Sequence, residues 1–233
     1  MMPRIWVGVL ALLGACYSMS LMQEPKPLPK GAVRGAAGLA FNAAIGPVPT
    51  PQVAARVGVV DHVEARLKLS SVGSRNRHGR ALGGLEAGFN VQPFDSPYVG
   101  VFLMPHYRYY QIREDADQYF DEYAEQHDRR VHAFAMPTLA VFHLQPYDLF
   151  IGPDLHVGTR DKRGFLALGG HIGASVAAGR YVSATLEFGL FGTVAGPHGA
   201  RDQESALSQP VLTIGQVSAE AALSLSFGSA HAK

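Results

Sequence analysis

The sequence predicts an all-β fold: a closed, antiparallel, up-and-down transmembrane β-barrel of about ten strands, within a range of about 8–12. Three observations carry that expectation. Side chains alternate between apolar and polar with a period of two through most of the chain. Tight turns alternate with mostly longer loops, as in barrels that keep short turns on one side of a membrane. The polar positions hold mainly Gly, Ala and Ser with a few charges of mixed sign, where a water-exposed wall would carry many Lys and Glu.

The alternation is clearest in residues 53–69, VAARVGVVDHVEARLKL. Val53, Ala55, Val57 and Val59 share one face, with Arg56 and Gly58 on the other. Beyond Asp61-His62, Val63, Ala65, Leu67 and Leu69 oppose Glu64, Arg66 and Lys68. Two such runs around a short polar turn predict a hairpin. Upstream, residues 31–45 set Val33, Ala37, Leu39, Phe41, Ala43 and Ile45 against Arg34 and Asn42, until a proline-rich break at 46–51. Downstream of a basic loop at 73–79, residues 81–91 oppose Leu85, Ala87, Phe89 and Val91 to Glu86, Asn90 and Gln92.

After a turn at 93–97, residues 98–112 oppose Val99, Val101, Leu103, Tyr107 and Tyr109 to His106 and Arg108. Residues 131–144 and 149–160 pair across a turn at 145–148, and Leu149, Ile151, Leu155 and Val157 oppose Asp154 and His156. Three more strands follow at 165–177, 182–194 and 211–227. In them Leu166, Leu168, Ile172 and Val176 oppose His171; Leu186, Phe188 and Leu190 oppose Glu187; Leu223, Leu225 and Phe227 oppose Glu220, Ser224 and Ser226. The alternation of turns and loops places both termini on the periplasmic side.

With the apolar face outward, Arg34, Arg56, Glu64, Arg66, Lys68, Glu86, Arg108, Asp154, His156, His171, Glu187 and Glu220 form a polar network in the lumen. Acids and bases must pair there, because the lumen of a small barrel is narrow and short of water. Inverting the faces gives the alternative of a lipid-tethered, lipocalin-like soluble barrel around an apolar ligand. Pro105, Pro137 and Pro153 interrupt three consecutive strands and are expected to face outward at similar depth. Proline removes a ladder donor, so these positions predict bulges that bend the wall, or else a weak seam for lateral access to lipid.

The N-terminus reads as an export signal: Arg4, then an apolar run at 5–13, too short to span a bilayer. Leu13-Gly14-Ala15-Cys16 resembles the lipobox of bacterial lipoproteins. That resemblance implies cleavage before Cys16 and its lipidation, and Tyr17 in place of an aspartate fits outer-membrane delivery. The expected organisation is a signal peptide at 1–15, a lipidated cysteine and proline-rich tether at 16–30, a barrel at 31–228 and a disordered tail at 229–233. Pro25, Pro27 and Pro29 keep the tether extended and poorly ordered.

Composition narrows function mainly by exclusion. A formal charge of +1 gives no basic stripe for nucleic acid, and a single cysteine excludes an intrachain disulfide. The ten histidines are scattered, with no H-E-x-x-H spacing, so no metal or cofactor is expected. A G-x-S-x-G elbow does not occur. His106, His156 or His171 beside Asp154 or Glu187 would suit an acid–base pair, but lumen packing explains the same residues without catalysis. The acidic segment 113–128 lacks the spacing of a calcium loop. It is expected to fold toward the basic loops at Arg75, Arg77 and Arg80, and at Arg160, Lys162 and Arg163.

As architecture, residues 31–227 resemble small outer-membrane β-barrel proteins of Gram-negative bacteria. The chain departs from their common pattern in that Phe227 is followed by six further residues instead of ending the last strand. About ten strands leave a lumen too small for an open channel, so a structural or surface-interaction barrel without enzymatic activity is expected, in contact with membrane lipid, including lipopolysaccharide at the basic loops. A narrow pore for small solutes and a barrel enzyme acting on lipid or peptide are the alternatives.

Overall fold

The computed structural model describes residues 21–22, 26–42, 50–70, 75–76, 79–114, 127–160, 162–178, 181–195 and 215–228, with backbone alone at 42, 75–76, 79–82, 112–114, 127–129, 160 and 215–220. The signal segment, Cys16, most of the acidic segment and the tail at 229–233 lie outside the described residues, as do Ala43, Ile45 and Arg77. The strands are β1 (Val33–Asn42), β2 (Thr50–Val60), β3 (Val63–Ser70), β4 (Arg75–Asn76), β5 (Gly79–Asp95) and β6 (Val99–Leu103). They continue as β7 (His106–Glu114), β8 (His127–Leu144), β9 (Tyr147–Arg160), β10 (Arg163–Ala177), β11 (Val182–Ala195) and β12 (Gly215–Gly228).

Every neighbouring pair is antiparallel, and β1 pairs with β12 to close the sheet. β4 only prolongs the β3–β5 side, and β6 and β7 both lie between β5 and β8 as two halves of one stave. The result is a closed barrel of ten staves. Closure leaves no sheet edge, which a wall surrounded by hydrocarbon requires, because no water is present to satisfy free backbone groups. Val33, Gly228 and the turns at 61–62, 96–98 and 145–146 share one rim; the strand ends at Asn42, Thr50, Ser70, Glu114, His127, Arg160 and Arg163 lie at the other. These are called the turn rim and the loop rim below.

Burial is inverted relative to a soluble protein. Leu39, Val53, Leu67, Phe89, Phe134, Ile151, Leu186 and Leu223 stand exposed on the outer wall. Arg34, Arg56, Glu64, Lys68, Glu86, Arg108 and Asp154 are buried inside. The faces therefore do not invert as a lipocalin-like barrel would demand. On β9 the outer face runs Leu149, Ile151, Pro153, Leu155, Val157, between Tyr147 at the turn rim and Thr159 near the loop rim. Nine residues of apolar wall match the roughly 9–11 that a tilted strand needs to cross a bilayer.

The three prolines meet expectation in part. Pro153 faces out and Pro105 is half-buried, but Pro137 is buried and shares the inward parity of Ala135 and Leu139. Nor do they sit at bulges. Pairing lapses between Leu103↔Thr138 and His106↔Ala135, and between Pro137↔Asp154 and Ala140↔Ile151, yet the register is the same on both sides of each gap. The missing donors open the ladder without displacing it. Register shifts occur elsewhere, at 58/60, 81/83, 91/94, 166/167 and 192/193.

The inverted wall has a measurable consequence. Leu186→Arg, at mid-depth on the outer face, is expected to cost about 2–4 kcal/mol of barrel stability, and Thr159→Arg near the interface about 0–1 kcal/mol. Urea unfolding of the barrel in lipid vesicles reads both, and equal costs at the two sites would contradict a lipid-facing wall.

Candidate functional site

The one enclosed chemical environment among the described residues is the lumen, and the register dictates what meets there. Inward positions recur every second residue, so a hydrogen-bonded row aligns inward side chains across the staves. One such row runs Arg34, Arg56, Arg66, Gly88, His106, Ala135, His156. The next row toward the loop rim runs Ala54, Lys68, Glu86, Arg108, Ala133, Gly158. Basic side chains on neighbouring staves repel unless acids reach between them.

Glu86 is the first of those acids. Its carboxylate lies 2.7 Å from Lys68 Nζ, 3.5 Å from Arg108 Nε and 3.8 Å from an Arg66 terminal nitrogen, and it accepts from the Tyr110 hydroxyl at 2.5 Å. His106 Nδ1 donates to the Met104 carbonyl at 2.7 Å, which leaves Nε2 to accept from Arg108 Nε at 2.6 Å. Arg108 thus links this cluster to a second around Asp154, 3.7 Å away. Asp154 Oδ2 is 2.6 Å from His156 Nε2 and 3.1 Å from His171 Nε2. His171 spans onward to Glu187, whose Oε1 is 2.7 Å from Nδ1.

Apolar side chains flank this layer at both ends. Toward the loop rim, Tyr110, Val131 and Phe191 pack together, with Phe165 against them. The Phe191 ring lies 5.5 Å from His156 and 5.0 Å from His171 by centroids. It fits only because residue 169 is glycine: a β-carbon there would collide with the ring. Toward the turn rim, Phe102, Met104, Leu139, Val141 and Phe150 form a second cluster, joined by Leu21.

Leu21 belongs to the stretch expected to be an extended tether, and the structure places the described part of that stretch inside the barrel. Leu21, Met22 and Leu28 are buried. The Leu21 amide donates to both oxygens of Glu187 at 2.9 Å, and Arg66 donates to the Leu21 carbonyl. The Leu28 amide donates to Glu64 Oε1 at 2.5 Å; the other Glu64 oxygen takes Arg56 at 3.2 Å and Asn90 at 3.0 Å. Gly31 and Ala32 then bond to Gly58 on β2, where the chain passes so close that a β-carbon would strike the Pro29 carbonyl. Lys26 reaches Asp148 at the turn rim, 3.3 Å away. Leu21 thus lies at mid-lumen and Lys26 at that rim, and from Gly31 the chain turns up into β1.

Of the residues singled out from sequence, Arg34, Arg56, Glu64, Arg66, Lys68, Glu86, Arg108, Asp154, His156, His171 and Glu187 all project into the lumen. The Glu220 side chain and Cys16 lie outside the described residues. Sequence reasoning missed Leu21, Leu28, Asn90 and Tyr110 as members of this site. Tyr110 and Asn90 carried the right parity; nothing in the alternation pointed to Leu21 or Leu28. Among the described residues no group of His, Cys, Asp and Glu has the arrangement of a metal site.

Removing a shared carboxylate from this layer is costly. Glu86→Leu leaves Lys68, Arg66 and Arg108 crowded without their common acid and is expected to destabilise the barrel by about 3–5 kcal/mol. Adding Lys68→Met recovers part of the loss. Unfolding midpoints in vesicles, measured as a double-mutant cycle, check both expectations.

No family model matches the chain, and no curated protein matches it in sequence. Solved structures with which it aligns include the outer membrane protease OmpT from Escherichia coli, at 6% identity over 89% of this chain and 99% of that one, with a TM-score of 0.43. The N-terminal β-barrel domain of Pseudomonas aeruginosa OprF aligns at 12% identity over 86% and 99% of the two chains, TM-score 0.39. The translocator domain of autotransporter NalP from Neisseria meningitidis aligns at 10% over 84% and 87%, TM-score 0.41. Likenesses this distant carry no activity over to this chain.

Proposed function

We propose that this chain is a sealed barrel of the Gram-negative outer membrane that works through its surfaces, as a structural or surface-interaction protein without catalysis. The observation that carries the reading is the occupied lumen. The Leu21 and Leu28 amides are lodged on Glu187 and Glu64, beneath an ionic layer whose side chains pair with one another. About ten staves enclose too little space for an open aqueous channel, which belongs to barrels of about sixteen strands. The polar lumen then acts as internal bracing for the wall. In this reading residues 1–15 export the chain, Cys16 carries the lipid, and the turn rim with both ends of the barrel faces the periplasm.

A barrel enzyme is the second reading, and the observation favouring it is the chain Asp154, His156, His171, Glu187 at hydrogen-bonding distances. These are the groups of an acid–base relay. Their burial beneath Phe191 and beside Leu21 favours packing.

Planar-bilayer recordings test the first reading. The full chain is expected to give no conductance steps, while a variant lacking residues 21–30, still heat-modifiable on gels, is expected to give small ones. Steady steps from the full chain would replace the sealed barrel with a pore. Lipid or peptide hydrolysis lost in His171→Ala, with heat-modifiability intact, would replace it with the enzyme.

A further inference from the structure

One polar cluster lies on the wrong side of the wall for lumen chemistry. On β8 the outward positions run Met136, Phe134, His132, Arg130 toward the loop rim; Arg130 is exposed and His132 half-buried. Beside them on β7 stand Tyr107 and Tyr109, in register as Tyr107↔Phe134 and Tyr109↔His132. The Tyr107 hydroxyl is 2.5 Å from His132 Nδ1, and the His132 ring is 5.0 Å from that of Tyr109 and 6.1 Å from that of Tyr107. On β9 the position opposite His132 is Thr159, where the apolar outer face ends.

That placement fixes the environment. Val157 and Phe134 belong to the hydrocarbon-facing wall, so His132 and Arg130, the next outward positions, stand at headgroup depth. Tyrosines at membrane interfaces are ordinary, since an amphipathic ring suits that depth. Tyr98, Tyr147 and Tyr181 are exposed at the turn rim in that ordinary way. At the loop rim the tyrosines are different: they are grouped around an imidazole, one residue pair from an exposed guanidinium. A guanidinium and tyrosine hydroxyls on two neighbouring strands offer donors to a tetrahedral oxyanion, and Arg presents two parallel N–H groups to one phosphate.

We infer that Arg130, His132, Tyr107 and Tyr109 form a binding site for the phosphate of a membrane-lipid headgroup on the outer face of β7 and β8. The lipid's acyl chains lie along Phe134, Met136 and Val157, and its phosphate meets Arg130 and the hydroxyls above them. The site is independent of the lumen and holds whether or not the barrel conducts.

Native mass spectrometry of the folded full chain, released from detergent after incubation with phosphatidic acid, phosphatidylcholine or inorganic phosphate, tests it. Wild type is expected to retain phosphatidic acid in preference to phosphatidylcholine. Arg130→Gln with His132→Phe is expected to weaken that retention about tenfold, the loss of one charge-assisted hydrogen bond. Arg130→Lys keeps the charge but not the paired donors and is expected to fall between, and heat-modifiability confirms that each barrel is folded. Equal retention of the two lipids, or equal retention by wild type and the double variant, overturns the site. Displacement of phosphatidic acid by millimolar inorganic phosphate overturns the lipid and leaves a free-anion site.

Discussion

Everything in this molecule depends on how charge is neutralised inside a wall that itself sits in hydrocarbon. Water is scarce in a narrow lumen, so each ionic side chain needs a partner within reach, on a neighbouring stave or one stave beyond. Glu86 answers Lys68, Arg66 and Arg108 together; Asp154 answers Arg108 and the two histidines. Arg108 belongs to both groups, which makes the two clusters one layer. Small residues elsewhere on the inner face, such as Ala36, Ala40 and Ala54, leave the room that these long side chains require.

The same carboxylates do a second job. Glu64 and Glu187 each accept a main-chain amide from the N-terminal segment, while Arg66 donates to its Leu21 carbonyl. A proline-rich stretch is well suited to this role. Proline carries no N–H, so Pro27 and Pro29 bring fewer backbone donors beside Leu28 than other residues would. The two amides at Leu21 and Leu28 are bonded to acids, and Leu21 adds its side chain to the Phe102–Phe150 cluster. The segment and the ionic layer stabilise one another.

Much of the wall was legible in the sequence, because a period of two with one buried face leaves little choice of register. Residues 53–69 showed the β2–β3 hairpin and its turn directly, and the inward parity of Glu64, Arg66, Lys68, Glu86 and Arg108 followed from the same alternation. What alternation cannot show is anything that reaches the lumen from outside the ladder. Leu21 and Leu28 lie in a stretch with no period, and their burial depends on acids far away in sequence. Pro137 was misplaced for a related reason. Its neighbours Thr138 and Leu139 offer no charge to mark the inner face, so only the register with Asp154 reveals it. Likewise, the polar reading of the lumen gave no hint of Phe102, Phe150 and Phe191, since aromatic side chains suit either face of a wall.

The position of the N-terminal segment also constrains how the barrel is assembled. The wall closes where β12, the last strand, zips to β1, the first. The segment precedes β1 directly and bonds to staves on opposite sides of the barrel, β3 through Glu64 and β11 through Glu187. It is simplest to enclose while the β1–β12 seam is still open, when the nascent sheet can curl around it as a mould curls around a core. Seam closure and lumen filling then become one event, and residues that precede the first strand are among the last to be locked in place.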